Sequence, residues 1–241
     1  MNRKWSSDMY LSVLGSSSAG NCYLLEADNE MLILEAGVKF MAVKKHLKFD
    51  LSRVKAVICT HIHGDHAAYI DDYKKAFIPT YLPTEAPTIH NAVNDGEVIE
   101  AGSFRITPYK VKHDVLCYSY LIEQGDTRLL FITDTCCFPY TLPDIDAMLI
   151  EANYDEDILK RNVADGMSLT HATRVIESHM SINNAVNCCL RHKNVRLHNI
   201  VLLHLSAQNS DERSFIQKMQ SRTGIATYVA HPIFALDIIK I

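Results

Sequence analysis

The segment Thr60-His61-Ile62-His63-Gly64-Asp65-His66 puts four metal-competent side chains into six positions, directly after an apolar run at 54–59 and directly before a helical pattern at 67–76. A fold that contains it must end a buried strand abruptly and enter a helix within a few residues. His61 and His63 are two apart, so at an extended strand end both project to one side and can grip one cation. Gly64 lets the chain turn, which frees Asp65 and His66, at the head of the next helix, to reach a second cation close by. Clusters of this kind are seldom spent on solvated loops.

The rest of the chain is patterned to build sheets around that turn. Short apolar runs at 9–15, 22–27 and 31–35, separated by turn signals at 16–21 and 28–30, predict an antiparallel opening. Residues 38–49 have helical spacing, with Val38, Met41, Ala42, His46 and Phe49 on one face and lysines on the other, and 54–59 follows as a buried strand. Strands are predicted at 97–101, 104–112, 117–123, 128–132 and 147–151, then helices at 155–163 and 170–192. The ending reads as a strand at 199–204, a helix at 211–223, and strands at 227–229 and 236–240. Mixed sheets with helices on their outer faces, an α/β mixed (α+β) class, are the natural packing for this order. No internal repeat and no Pro/Gly/Ser linker divides the chain, so residues 1–241 are expected to form one domain without an inserted cap.

Composition narrows the setting. A chain of 241 residues that is 48% hydrophobic and 22% charged is neither disordered nor fibrous, and is long enough to bury a core without disulfides. The net charge of -4 neither favours nor excludes a polyanionic partner. Seven cysteines, with Cys136-Cys137 and Cys188-Cys189 adjacent, speak against a disulfide framework. The apolar stretch near the start is broken early, and no run approaches the roughly 18 apolar residues of a spanning helix. The expected setting is cytoplasmic and membrane-free; no oligomeric state is predicted.

The HxHxDH pattern together with the order of elements resembles the metallo-β-lactamase superfamily, which implies a four-layer αββα sandwich of two mixed sheets flanked by helices. The resemblance extends to His113 in Tyr109-Lys110-Val111-Lys112-His113-Asp114, Asp134 in Leu130-Phe131-Ile132-Thr133-Asp134-Thr135, and His204 in Ile200-Val201-Leu202-Leu203-His204-Leu205-Ser206. It implies that His61, His63 and His113 hold one metal and Asp65, His66 and His204 the other, with Asp134 bridging. One departure is visible: Leu34-Glu35-Ala36-Gly37 carries Glu where the family usually has a strand-end Asp, so Glu35 is expected to support the histidine loop in its own way. The segments 14–21, 150–155, 178–181 and 204–210 resemble the YycJ/WalJ-like branch, which lacks the β-CASP cap and is associated with metal-dependent exonuclease activity on DNA. Tyr154 stands where that branch commonly has His.

The implied cofactors are two divalent ions, zinc or manganese, with iron also compatible with a mixed N/O donor set. Such a pair acidifies a bridging water so that hydroxide exists at neutral pH, and the reading is a dinuclear metal-dependent hydrolase. A phosphodiesterase or nuclease stands first, with DNA ahead of RNA as substrate. The alternative is a hydrolase of a small ester, lactone, thioester or β-lactam, and the third reading is a non-catalytic metal-binding module, against which stand all seven ligand positions. Asp65 and His179 are the catalytic candidates, His179 as a proton donor or phosphate contact. Ser17 and Asn21, in a turn able to present N–H groups and hydroxyls, join Glu35 and Asn153 as residues that back the ligands or face substrate. His46, His90, His171, His192, His198 and His231 carry no motif. Lys44, Lys45 and Lys48, and the basic stretch 191–196, are either solvated faces or a track for a nucleic-acid strand.

Overall fold

Strands apolar on both faces must be covered on both faces, and that requirement sets the architecture. In the computed structural model, which describes residues 9–85, 88–232 and 239–240, the first half of the chain gives β1 (Tyr10–Gly15), β2 (Cys22–Ala27), β3 (Glu30–Leu34), α1 (Phe40–His46), β4 (Val54–Ile58), α2 (Gly64–Ala67), α3 (Ile70–Lys75) and β5 (Thr80–Tyr81). The second half gives β6 (Ile99–Ala101), β7 (Phe104–Val111), β8 (Cys117–Gln124), β9 (Thr127–Ile132), β10 (Ala147–Glu151), α4 (Glu156–Ala164), α5 (Leu169–Ser178), α6 (Ile182–His192), β11 (Asn199–Leu203), α7 (Glu212–Thr223), β12 (Ala226–Val229) and β13 (Ile239–Lys240).

The strands form two sheets, ordered β13-β1-β2-β3-β4-β5 and β12-β11-β10-β9-β8-β7-β6. Each changes character along its width. The pairs β1·β2 and β2·β3 are antiparallel and β3·β4·β5 parallel, while β6 to β9 are antiparallel and β9·β10·β11·β12 parallel. Alternate residues of both sheets meet in one central core, where Tyr23, Leu25, Leu32 and Ile58 face Tyr120, Phe131, Leu149 and Val201. The opposite faces are covered separately. Leu24, Ile33 and Val57 pack under Phe40, Val43 and Tyr73 of α1 and α3, and Leu130, Ile150 and Leu202 under Val186, Phe215 and Met219 of α6 and α7. The result is the αββα sandwich.

Two expectations needed correction. The helix expected over 170–192 is two helices, because His179 is extended (φ -128°, ψ 157°), the Met180 amide donates to Glu151, and Ser181 caps α6 by accepting from Asn184. The helix expected over 67–76 begins earlier, with the single turn α2, and is interrupted before α3. The short strand β5 carries too little periodicity to read from sequence. Of the strand expected at 236–240, residues 236–238 lie outside the described residues. Among the described residues, no helix is long and apolar enough to cross a membrane.

Phe131 is fully buried, with its ring 5.6 Å from that of Tyr23 in an edge contact across the sandwich. Phe131→Ala should therefore cost about 3–5 kcal/mol in urea unfolding. Phe77→Ala, at a position 95% exposed, should stay within about 0.5 kcal/mol of the parent.

Candidate metal centre

Carboxylates and imidazoles collect where strands end. Glu35 follows β3, His61 follows β4, His113 follows β7, Asp134 follows β9, Glu151 closes β10 and His204 follows β11, all at carboxyl ends of strands, the edge where ligands bind in sheets of this kind. Three of these residues, Glu35 (φ 68°), Asp134 (φ 49°) and His204 (φ 53°), hold left-handed backbone conformations that cost energy for residues other than glycine. The turn out of the strand is thus tightest where a ligand must be aimed.

Two donor groups result. In the first, His61 Nε2 lies 3.0 Å from His63 Nδ1, and His63 Nδ1 lies 3.3 Å from His113 Nε2. Three imidazole nitrogens that face one another can share at most one bifurcated proton, whereas a tetrahedral cation with metal–nitrogen bonds of about 2.0–2.1 Å holds its nitrogens about 3.3–3.4 Å apart and engages all three. In the second, Asp65 Oδ2 is 3.3 Å from His66 Nε2 and 3.4 Å from His204 Nε2, and His204 Nε2 is buried without a hydrogen bond. Asp134 Oδ2 touches His66 Nε2 and sits 3.7 Å from His61 Nε2, so one carboxylate oxygen faces both groups. These residues fit a pair of cations. The four carboxylates Glu35, Asp65, Asp134 and Glu151 carry a formal charge that two divalent ions would neutralise while the imidazoles facing those ions stay neutral.

The contacts behind the donors set their tautomers. Thr60 Oγ1 donates its single proton to Glu35 (2.6 Å), so it accepts from His61 Nδ1 (2.9 Å) and leaves the His61 Nε2 lone pair free. Glu35 also accepts from the Thr60 amide and lies 3.3 Å from His66 Nδ1, which directs the His66 Nε2 lone pair at the second group. That is how glutamate acts in place of aspartate here: one buried side chain serves the strand end and two ligands. Asn21 bridges the backbone oxygens of Ser17 and Asp65 and reaches His66 Nε2 at 3.1 Å. Asn153 donates to the His204 carbonyl at 2.8 Å. The Ser17 hydroxyl accepts from the Ala19 amide inside its own turn, and its carbonyl holds Asn21.

Two residues without an assigned role in the sequence reading belong to this network. Glu151, fully buried, accepts from His179 Nδ1 (2.6 Å), the Thr135 amide (3.2 Å) and the Met180 amide (3.1 Å), and lies 3.2 Å from His204 Nδ1. Its signal was available, since an acidic residue closing a fully apolar strand repeats the pattern of Asp134. Asp114 Oδ1 lies 3.4 Å from His63 Nε2 and 3.0 Å from His113 Nε2, and its other oxygen is 3.6 Å from Arg174. The vicinal thiols of Cys136 and Cys137, 3.9 Å apart, join neither donor group.

The charge balance follows from this geometry. Burial, with His66 next to it, pushes the His61 imidazole down to about 2, and burial also lowers His113. Burial opposes charge on His66, His204 and His179 too, but facing carboxylates outweigh it. Asp134 and Glu35 raise His66, Asp134 and Asp65 raise His204 to about 9, and Glu151 and Asp134 raise His179 to about 10. Burial opposes the ionised forms of Asp65 and Asp134 in turn, yet the imidazoles of His204 and His66 hold both well below the usual carboxylate range. Cys117, whose Sγ lies 3.9 Å from His61 Nδ1, has its thiol raised by burial, so it stays neutral beside the donors.

The chain is similar to several known proteins. A family model described as "Beta-lactamase superfamily domain" matches residues 32–205. The chain is 23% identical over 176 residues to "Exodeoxyribonuclease YycJ" of Bacillus anthracis, an alignment covering 63% of this chain and 66% of that protein, just under two thirds of its length. It is 24% identical over 222 residues to "Exodeoxyribonuclease WalJ" of Streptococcus pneumoniae, covering 83% of this chain and 82% of that one. It is 23% identical over 150 residues to "Ribonuclease Z" of Nitrosopumilus maritimus, covering 49% and 50%. The crystal structure of the metallo-beta-lactamase fold protein YhfI from Bacillus subtilis superposes with a TM-score of 0.73 at 19% identity, covering 97% of this chain and 99% of that one.

Two divalent ions per chain are expected in metal analysis of protein loaded with zinc or manganese. A ligand concentration about 100-fold above Kd should stabilise the fold by about 2.7 kcal/mol, lost on chelation. Glu35→Gln should weaken metal affinity about 10- to 100-fold in a competition titration while far-UV circular dichroism is unchanged.

Proposed function

We propose that this chain, which belongs to the beta-lactamase superfamily domain family and is a metal-dependent hydrolase, cleaves phosphodiester bonds of a polynucleotide, with DNA as the preferred substrate. The observation that carries the reading is the His179–Glu151 pair at the edge of the donor groups. Divalent cations bound by His61, His63, His113, Asp65, His66, Asp134 and His204 would supply Lewis acidity and lower the pKa of a coordinated water toward neutrality. What a phosphodiester needs besides is a proton for the departing oxygen, because an alkoxide is a poor leaving group.

His179 is suited to give it. Glu151 holds Nδ1 at 2.6 Å and Asp134 lies 3.2 Å from the same atom, so Nε2 is the ring nitrogen left to donate. The break between α5 and α6 presents this side chain, which keeps 23% of its surface exposed while Glu151 is fully buried. A donor clamped by a buried carboxylate keeps both its tautomer and its orientation through the reaction. Asp65, shared between His66 and His204, completes the second donor group and is the residue whose loss should be least tolerated. The exodeoxyribonuclease names of the YycJ and WalJ relatives favour DNA, and the ribonuclease Z relative makes RNA the comparison to run.

His179→Ala should retain full metal content and lower kcat on DNA about 10²- to 10⁴-fold. The loss should be far smaller on bis(p-nitrophenyl) phosphate, whose p-nitrophenolate leaves without protonation. Asp65→Ala should abolish turnover of both. Cleavage of chromogenic esters alone, with single- and double-stranded DNA and RNA all untouched, would overturn the phosphodiesterase reading.

A further inference from the structure

Ile62 is 48% exposed, although it lies between two metal-ligand candidates and directly beyond a strand whose apolar residues are buried. It faces a cavity of about 600 Å³ lined also by Pro83, Lys110, Lys112, His113 and Leu116. The volume lies within the range of small-molecule sites. His113 is common to the cavity and the first donor group, so the two adjoin.

The wall has two chemistries. Ile62, Pro83, Val115 and Leu116 give it an aliphatic side. Lys110 and Lys112, exposed on either side of buried Val111 at the end of β7, give it a cationic side. The acidic members are Glu85 and Asp114, and Asp114 is countered by Arg174 at 3.6 Å. An apolar slot beside two cations, opening from a phosphodiester-cleaving centre, is complementary to one nucleotide unit: a flat base and the next phosphate along the strand.

We infer that this cavity binds the nucleotide flanking the scissile phosphate of a single-stranded polynucleotide, with the base against Ile62, Val115 and Leu116 and the neighbouring phosphate at Lys110 and Lys112. The inference rests on the phosphodiesterase reading above. An aliphatic wall offers a base edge no donors or acceptors, so it accepts any base and confers no sequence preference. The base must leave its stack to enter, which selects a single-stranded end over paired duplex. The second basic cluster is placed elsewhere: Lys48 lines a separate cavity with Met31 and Val54, at the starts of β3 and β4, whereas the donors stand at the ends of those strands.

The test compares metal-loaded full-length parent, Lys110→Glu/Lys112→Glu and the charge-matched Lys45→Glu/Lys48→Glu on a short labelled single-stranded oligodeoxynucleotide and on bis(p-nitrophenyl) phosphate, which has no flanking phosphate. Reversal at 110 and 112 should raise KM for the oligonucleotide about tenfold or more with little change in kcat, and make the log–log salt dependence of binding shallower by about 0.7, the contribution of one phosphate on a single strand. KM for the small diester should shift far less, and the 45/48 variant should shift neither KM by more than about threefold. Equal effects of the two charge reversals, or an unchanged oligonucleotide KM at 110/112, would overturn the assignment of this cavity and leave the nuclease reading standing. A parent enzyme that hydrolyses the small diester but neither binds nor cuts the oligonucleotide would overturn the polynucleotide reading, and this inference with it.

Discussion

Everything at the functional edge of this protein depends on burying three carboxylates, Glu35, Asp134 and Glu151, and half-burying a fourth, Asp65, against a ring of imidazoles. Taking a charged group out of water is costly unless it is paired and hydrogen-bonded. Glu35 and Glu151 have no exposed surface and Asp134 almost none, so each must meet fixed partners. Those partners are either imidazoles, which can carry a compensating proton, or backbone amides supplied by the strand-end turns. Cations satisfy the same demand while leaving the imidazoles neutral. That equivalence makes the cluster a binding centre rather than a stabilising core.

The two sheets exist to make that burial affordable. Their shared interior is continuous and apolar, and each outer face has its own helical cover, so rigid strands deliver their ends to one rim. Strain is spent where it serves aim: the left-handed residues Glu35, Asp134 and His204 all sit at that rim. Glu35 is a case where chemistry and geometry meet. Its carboxylate takes the Thr60 hydroxyl proton and so decides which nitrogen of His61 is bare. On the other side Glu151 fixes the His179 ring through Nδ1 in the same way.

Legibility differed by residue. His61, His63, Asp65 and His66 could be read as ligand candidates because the grip is local: spacing of two on an extended chain followed by a glycine turn. His113, Asp134 and His204 came only through resemblance, since a lone His or Asp ending an apolar run has no local mark of function. Ser17 carries only a turn signal in the sequence, and in the structure its hydroxyl accepts from the Ala19 amide while its carbonyl accepts from Asn21, which reaches His66. His179 was singled out, but the helix thought to carry it is broken at that very residue. The break depends on Glu151 capturing the Met180 amide, a contact between positions far apart in the chain.

The sequence by itself determined the donor types, the strand-to-helix turn that groups four of them, and the apolar runs that demand mixed sheets covered by helices; these follow from side-chain period and local backbone preference. Only the tertiary structure decided that Glu151 and Asp114 belong to the centre, and that His179 meets Asp134 and His204 there. The physical reason is sheet order. Because β9, β10 and β11 are adjacent and parallel, their carboxyl ends lie side by side, and Asp134, Glu151 and His204 become neighbours although long stretches of chain separate them. Strand pairing is a long-range choice, made by the burial of whole faces, and no window of sequence contains it.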